Sequence, residues 1–280
     1  MENWILGKIF RPEPLRIILT RKLVRTFNLL SYRDRLAIGA VERWTYAYCI
    51  FQAARLASLL KYPRISILEF GCGGGNGLVA AEKHIAEVEK LFDVRLELYG
   101  FDMGSGLPTP RDYRDIPHYF KGGLYKMDID AVQRKLKIGK LVIGDVKETC
   151  ATFFEKYHPA PIGCMLHDLD YYSSTLDSFT LFDADSSQFL PRVFMYFDDI
   201  IGTDLWLTND YTGERLAIDE FNAKHRMQKI CQNYSLLEDY RIIPWFSSMI
   251  RIYHDFSHQR YNDYVGDAEQ RDHENRIRLA

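Results

Sequence analysis

Two kinds of apolar run alternate along the chain, which predicts strands separated by helices. Short, largely apolar runs typical of buried strands occupy residues 64–70, 94–101, 140–144, 162–166 and 192–197. Apolar positions at helical spacing occupy residues 41–60, 76–92 and 175–182, and Asn76 is expected as the N-cap of the second of these helices. Strands that alternate with helices in this way indicate a doubly wound, mostly parallel sheet.

The C-terminal region predicts a different kind of pairing. Two further runs, residues 241–245 and 249–254, are separated by three residues and predict an antiparallel hairpin at one sheet edge. We therefore predict an α/β fold with a Rossmann-like, mostly parallel seven-stranded sheet and an antiparallel C-terminal hairpin. The chain divides into an N-terminal helical extension (residues 1–60), the sheet domain (61–257) and a charged tail (258–280).

The N-terminal extension is strongly basic. Between Lys8 and Arg35 it carries eight Lys and Arg residues against two acidic ones, with apolar residues between them at roughly helical spacing. One interpretation is a basic amphipathic helix that meets an anionic surface, substrate or membrane. The other, which the sequence favours, is a cap that packs on the sheet domain or on a second subunit, so that a homo-oligomer could form through these helices.

Composition excludes several classes of protein. A formal net charge of -2 gives no general attraction to nucleic acid. No stretch is long enough to span a membrane, and the N-terminus lacks the apolar core of a signal peptide. The five cysteines are scattered and form no CxxC pair, which argues against a zinc site or a disulfide framework and for a reducing compartment. We therefore expect a cytoplasmic protein with no nucleic-acid partner and no integral membrane contact.

A glycine-rich loop follows the first predicted strand. The segment from Glu69 to Gly77 reads EFGCGGGNG, and glycines at a strand-to-helix turn let the backbone approach a nucleoside closely. The dinucleotide register G-x-G-x-x-G is broken, because Asn76 occupies its last position. A carboxylate at Glu69 would repel a pyrophosphate but suits a cationic sulfonium cofactor that carries an amino group. The candidate cofactor-binding residues here are Glu69, Gly71, Gly73, Gly75 and Asn76.

Further candidates follow the next two strands. Asp102 ends the second strand, where a carboxylate can accept hydrogen bonds from both ribose hydroxyls. The alternative is that Asp102 only begins the turn before Gly104. Asp145 and Val146 follow the third strand, where Asp145 could accept from an adenine amino group or could form a plain turn.

Acidic residues follow two later strands. Asp168 and Asp170 come after the fourth strand, and the pair Asp198-Asp199 comes after the fifth. Four carboxylates at one sheet edge would repel one another unless a cation or shared protons intervene. An all-oxygen donor set suits a hard cation such as Mg²⁺, so Asp168, Asp198 and Asp199 are the candidate metal ligands. Helix capping and turn formation are the alternative roles, and they account for one acid better than for four.

Five ordered motifs now support a resemblance. They are the E-x-G-x-G-x-G-like loop, GFD followed by GLP at 100–108, D-x-D-x-Y-x-S-T at 168–175, DD at 198–199 and A-x-D-E-F at 217–221. The first resembles the loop of class I S-adenosylmethionine-dependent methyltransferases. The acids resemble those of metal-dependent O-methyltransferases such as catechol O-methyltransferase, and the whole set is most similar to the macrocin and mycinamicin sugar O-methyltransferases.

The resemblance, which covers residues 65–221, implies a function. It implies an S-adenosylmethionine cofactor, Mg²⁺ or another hard divalent cation, and methyl transfer to a small hydroxylated acceptor such as a sugar or natural product. A base would remove the acceptor's proton, with Asp170 or His167 as candidates. His167 could instead be a strand-end histidine bonded to backbone, and the sequence also leaves His118, His225 and His254 open.

Two further segments are candidates for contact with the ligand. Residues 108–123 are rich in Arg, Asp, Tyr and Pro and are expected to form a loop or lid over the ligand. Tyr171 and Tyr172 could line the acceptor pocket or belong to the core.

Two other functions are compatible with such a fold. A nicotinamide-dependent oxidoreductase or epimerase would be expected to carry a Tyr-x-x-x-Lys pair, which the sequence lacks. A non-catalytic domain that binds S-adenosylmethionine as a scaffold has no need of an acidic cluster. The sequence therefore favours the enzyme.

Overall fold

The computed structural model describes residues 15–236 and 248–266. Within them the helices are α1 Leu15–Thr26, α2 Tyr32–Ala37, α3 Trp44–Leu59, α4 Asn76–Val88, α5 Ile129–Lys135, α6 Val146–Tyr157, α7 Tyr172–Ser178 and α8 Gly213–Lys224. The strands are β1 Arg64–Phe70, β2 Arg95–Asp102, β3 Lys140–Ile143, β4 Ile162–His167, β5 Phe189–Phe197, β6 Gln228–Gln232 and β7 Ile250–Asp255.

The seven strands form one sheet in the order β3-β2-β1-β4-β5-β7-β6. The pairs from β3 through β5 are parallel, and β7 runs antiparallel to both of its neighbours. This confirms the predicted fold class. The chain order reverses direction at β1 and β4, so the carboxyl ends of these strands form the crevice where such sheets bind ligands.

The central strands are apolar because helices cover both of their faces. Six of the seven residues of β1 and all six of β4 are buried, as expected for a parallel sheet with two covered faces. This burial is what made these strands visible as short apolar runs. The sheet interior is further filled by stacked aromatic rings, among them Phe70 against Phe101 at 4.7 Å between ring centroids.

The C-terminal antiparallel pair has a different first strand from the predicted one. The partner of β7 is β6, whereas the predicted run 241–245 lies outside the described residues. In β6 only Ile230 is buried, and polar residues surround it. An edge strand with one buried side chain leaves almost no hydrophobic pattern in the sequence.

Two helix predictions also need correction. The N-cap of α4 is Gly75, with φ +76°, and Asn76 is the first helical residue. The predicted helix at 175–182 begins earlier, at Tyr172, and continues as a 3₁₀ turn over Phe179–Asp183. Helix α6 was not predicted, because only Cys150 and Phe153 of its residues are buried.

The segments that flank the sheet share its core. Eleven of the sixteen residues of α3 are buried, and all of them except Thr45 belong to the same hydrophobic cluster as the strands. The segment after Ser257 also contacts the sheet, because the Tyr261 carbonyl accepts a hydrogen bond from the Arg192 guanidinium of β5 at 2.7 Å. Residues before position 60 and after position 257 thus contact the sheet domain. The boundaries at these two positions stay predictions of domain organisation.

None of the helices in the described ranges combines the length and the hydropathy that crossing a bilayer requires. All five cysteines are free thiols, and four of them are buried.

Candidate functional site

A cavity of about 440 Å³ lies at the carboxyl ends of the central strands. Its lining includes most of the residues singled out from the sequence: Glu69, Gly71, Gly73, Asn76, Asp102, Asp145, Val146, Asp168, Asp170, Asp198 and Asp199. Gly75 and His167 are not part of it. The sheet topology therefore brings the glycine-loop residues and the acidic residues together around one space.

The glycine loop is held in a conformation that other residues would disrupt. Gly71 has φ +79°, and a Cβ atom there would overlap the backbone carbonyl oxygen of Asp168. Its amide donates to the Phe101 carbonyl at 2.9 Å. At Gly77, a Cβ would overlap the Glu69 carboxylate. Close approach of two strands and of a carboxylate explains why glycine occupies these two positions.

Asp102 ties the loop to the second strand. Its Oδ2 accepts from the amides of Cys72 at 3.0 Å and Gly73 at 2.9 Å, while Oδ1 accepts from the Gly104 amide at 2.6 Å. The carboxylate thus fixes the loop and also begins the turn, as the alternative interpretation expected. Oδ2 thus accepts two hydrogen bonds, whereas Oδ1 accepts one and keeps a second lone pair. Because Asp102 lines the cavity, this oxygen is available to a ligand.

Glu69 is a buried carboxyl group with one free oxygen. It is 2% exposed, and its Oε1 accepts from the Tyr46 hydroxyl at 3.2 Å. Its Oε2 has no hydrogen-bond partner among the described residues. Burial, and next the charge of Asp168, raise the pKa of Glu69 to about 8, whereas Arg43 opposes that shift. An unsatisfied buried carboxyl oxygen is costly, and a cationic ligand group would satisfy it.

Arg43 is a cavity residue that sequence reasoning missed. It precedes α3 with a left-handed backbone (φ +40°), and its guanidinium lies 5.2 Å from the centroid of the Tyr46 ring. It lines the cavity and lowers the pKa of both Glu69 and Asp168. A single arginine within a basic N-terminal region carries no sequence signal that would place it here.

The acidic residues meet as the strand ends predicted. Asp168, Asp198 and Asp199 each offer a carboxylate oxygen, and these atoms lie within 4.8 Å of one another. The Asp170 amide donates to Asp199 Oδ2 at 3.0 Å, and the Tyr196 hydroxyl donates to Asp198 Oδ1. Burial is the main cause that raises the pKa of Asp168 to about 8 and of Asp199 well above its usual range, and the neighbouring acids add to it.

Glu214 is a further member of this cluster that the sequence did not reveal. Its side chain is fully buried, and its Oε2 accepts from the Asp199 amide at 2.9 Å. Its Oε1 has no partner among the described residues. The A-x-D-E-F motif lies further along the same helix, α8, but Asp219 and Glu220 are exposed. The motif instead supplies buried apolar residues that pack α8 against the core, and the first turn of α8 carries Glu214.

His167 lies inside the sheet rather than in the cavity. Its ring stacks between Phe70 and Phe197, with centroid distances of 4.9 Å and 4.6 Å. Its Nε2 lies 3.0 Å from the Ser178 hydroxyl. Burial lowers the pKa of His167 to about 3, so the ring is neutral at physiological pH. The structure gives it a packing position, enclosed by aromatic rings and close to the Ser178 hydroxyl.

The three other candidate histidines are also away from the cavity lining. His118 bonds the Trp206 carbonyl, His225 the Phe221 carbonyl and His254 the Tyr261 hydroxyl. Asp170 does line the cavity, in a left-handed conformation with φ +59°. Asp145 lines it too, while its Oδ1 accepts from the Lys147 amide at 2.9 Å and so begins α6.

The segment expected to form a lid is a closed loop beside the cavity. The Leu107 amide donates to the Leu124 carbonyl at 2.8 Å, and the Gly123 amide donates back to Leu107 at 2.7 Å. Inside this loop, Ile116 and Phe120 pack against Tyr171, which is fully buried. Tyr171 and Tyr172 are therefore core residues, and the aromatic residues that line the cavity are Phe101, Tyr125 and Trp206.

Comparison with known proteins gives structural similarities only. No protein-family model matches the chain, and no curated protein matches it. The O-methyltransferase NovP is 14% identical, with a TM-score of 0.49 over 75% of this chain and 79% of its own. The calicheamicin methyltransferase CalS11 is 19% identical, with a TM-score of 0.46 over 76% and 85%. The plantazolicin methyltransferase BpumL, in complex with a monoazolic desmethylPZN analog and SAH, is 14% identical, with a TM-score of 0.37 over 85% of this chain and 95% of its own. These TM-scores lie below 0.5, so the similarities assign neither a family nor an activity to the chain.

Proposed function

We propose that this protein is an S-adenosylmethionine-dependent O-methyltransferase, assisted by Mg²⁺, that acts on a small hydroxylated acceptor such as a sugar or natural product. The observation that carries the proposal is the half-satisfied Glu69 carboxyl group beneath a glycine loop, in the same cavity as a cluster of acids. A cationic nucleoside and a metal-held acceptor would both find complementary charge there.

The loop side of the cavity fits the cofactor. The free oxygen of Glu69 would accept from the amino group of the methionine moiety, and the Arg43 guanidinium beside it would bind the carboxylate. A buried acid next to a cation suits a zwitterion, because each charged end of the ligand meets its opposite. Asp102 Oδ1 would accept from one ribose hydroxyl, and Asp145 with Val146 would lie against the adenine.

The acidic side of the cavity fits a hard divalent cation. Asp168, Asp198 and Asp199 would hold it, and the buried Glu214, with one free oxygen, lies beside Asp199. Burial, and next the charges of neighbouring acids, raise the pKa of Asp168 and of Asp199, and a bound cation would offset both effects. When bound, such a cation orients neighbouring acceptor oxygens and lowers the pKa of the hydroxyl.

The protein's own residues would position the acceptor and take its proton. Asp170 is the candidate base, because its carboxyl group lines the cavity beside the proposed ligands. His167 is not retained in this role, since its ring is enclosed within the sheet. The cavity lining also includes Leu107, Tyr125 and Trp206, and the ring of a sugar or an aromatic compound would pack against these side chains. Transfer then depends mostly on alignment of the oxygen with the sulfonium methyl group.

The direct test is methyl transfer from S-adenosylmethionine to a panel of acceptors with neighbouring hydroxyls. The panel should contain nucleoside-diphosphate sugars, glycosides and catechols, with mass spectrometry to detect the methylated product. We expect turnover with at least one acceptor class, its loss in EDTA and its recovery on addition of Mg²⁺. Turnover that EDTA leaves intact would remove the metal from the proposal. Cofactor binding without turnover on any acceptor would favour the non-catalytic scaffold.

A further inference from the structure

Helix α1 presents apolar side chains to solvent. Leu15, Leu19 and Leu23 recur every four residues and are 70%, 64% and 53% exposed, whereas Val24, on the opposite side of the helix, is buried. Phe27, just beyond the helix, is 66% exposed. A run of large exposed apolar residues on one face marks an interaction surface rather than ordinary surface.

Basic residues flank this apolar face. Arg16, Lys22 and Arg25 are exposed, and a helical projection places them on either side of the leucine stripe. Residues 15–35 contain six Lys and Arg residues and one Asp, in a chain whose formal net charge is -2. Positive charge is therefore concentrated on this surface rather than spread over the protein.

Contacts with the domain fix which way α1 faces. The Arg21 guanidinium donates to the Ile38 carbonyl at 2.5 Å, and Val24, on the same side of α1, is buried. Helix α2 is in turn attached to α4, because the Tyr32 hydroxyl lies 3.0 Å from His84 Nδ1. The buried side of α1 thus faces the protein, and the leucine stripe faces outward.

Charge decides between two occupants of this surface. In a two-fold dimer formed through α1, the stripe of one copy would meet the stripe of the other, and the flanking cations of both would be brought together. An anionic bilayer instead offers apolar chains to the leucines and, just above those chains, phosphates to the flanking cations. The pattern therefore fits a lipid surface better than a second copy.

We propose that α1 and the turn after it form a membrane-surface element that binds anionic phospholipids. The helix would lie in the plane of the interface, with Leu15, Leu19 and Leu23 inserted between headgroups and Arg16, Lys22 and Arg25 at the level of the phosphates. This segment is followed along the chain by α2 and then by Arg43, which lines the cavity. The membrane-binding element would therefore be connected to the cavity through a short stretch of chain. The element requires neither cofactor nor acceptor, which makes it independent of the proposed activity.

Vesicle flotation tests the proposal with the full chain. The vesicles should contain phosphatidylcholine alone or with phosphatidylserine, at low and high salt. We expect binding to the anionic vesicles, little binding to phosphatidylcholine, and weakening by salt. The double variant Leu19→Glu/Leu23→Glu should reduce the bound fraction about tenfold or more, whereas Leu205→Glu, at a loop leucine that is 74% exposed, should not.

Three outcomes would overturn the proposal. They are no binding to anionic vesicles, equal binding by the double variant, and equal loss in the Leu205→Glu control. Light scattering on the same samples measures the oligomeric state and so tests whether a second copy occupies the surface. A wild-type dimer that dissociates in the double variant would assign the surface to a second copy. Retained binding of S-adenosylhomocysteine, or an unchanged thermal midpoint if no such binding exists, would show that the variants are folded.

Discussion

The buried carboxyl group of Glu69 predicts that cofactor binding depends strongly on pH. Its pKa is about 8 in the free protein, mainly because burial disfavours the charged form. The amino group of S-adenosylhomocysteine would require the carboxylate, so binding must release a proton over the range in which Glu69 is protonated. Affinity is then full above this pKa and is lost as the pH falls through it.

The size of the effect follows from the fraction of charged Glu69. With a pKa of about 8, roughly one molecule in a hundred has the carboxylate at pH 6, and about half have it at pH 8. The affinity for S-adenosylhomocysteine should therefore rise about fiftyfold over this interval, which corresponds to about 2 kcal/mol.

Calorimetry measures both the affinity and the proton. Titrations at pH 6, 7 and 8, in two buffers with different ionisation enthalpies, should show a tightening Kd and close to one proton released at pH 6. The variant Glu69→Gln should bind more weakly and with little dependence on pH. Glu155→Gln, which removes an exposed carboxylate from α6, should behave as the wild type does.

Two results would refute this reasoning. A wild-type affinity that is the same at pH 6 and pH 8 would show that Glu69 does not bind a cationic group of the ligand. A slope that persists in Glu69→Gln would assign the proton to another cavity acid, with Asp168 the first to test.

Three other changes have defined outcomes. Gly71→Ala, which places a Cβ on the Asp168 carbonyl oxygen, should abolish S-adenosylhomocysteine binding and lower the thermal midpoint by far more than Gly73→Ala, whose Cβ meets no atom within 4 Å; equal midpoints would contradict the clash. Asp198→Asn should retain cofactor binding in calorimetry and lose Mg²⁺-dependent methyl transfer, and retained turnover would exclude Asp198 as a ligand. His167→Phe should keep the ring stack and resist acid better than the wild type: the neutral His167, with a pKa of about 3 when folded and about 6.5 when unfolded, costs the wild type about 3 kcal/mol between pH 7 and pH 4.5. Denaturant unfolding at both pH values measures this difference, and an equal loss of stability in both proteins would contradict it.

The parts of the fold that follow from the sequence are those whose burial is continuous along the chain. Strands β1 and β4 are enclosed on both faces, so they appear as apolar runs, and the glycine loop lies where β1 ends. Strand β6 buries one residue and helix α6 buries two. So few buried positions produce no hydrophobic periodicity in the sequence, so neither element could be predicted from it.

The candidate site divides in the same way. Acids directly after strands could be predicted to meet, because parallel strands deliver their carboxyl ends to one edge. Arg43 and Glu214 reach that edge from helix starts that are distant in the chain, and only tertiary packing brings them there. His167 was predicted as a candidate base because it ends a strand next to Asp168. The structure instead places its ring between aromatic rings of the neighbouring strands.

The most direct test of the central claim is calorimetric titration of the purified protein with S-adenosylhomocysteine and with NAD at pH 8, each with and without Mg²⁺. The account predicts micromolar binding of S-adenosylhomocysteine and none of NAD, because the free oxygen of Glu69 favours an amino group and repels a pyrophosphate. Binding of NAD, or of neither ligand, would contradict it.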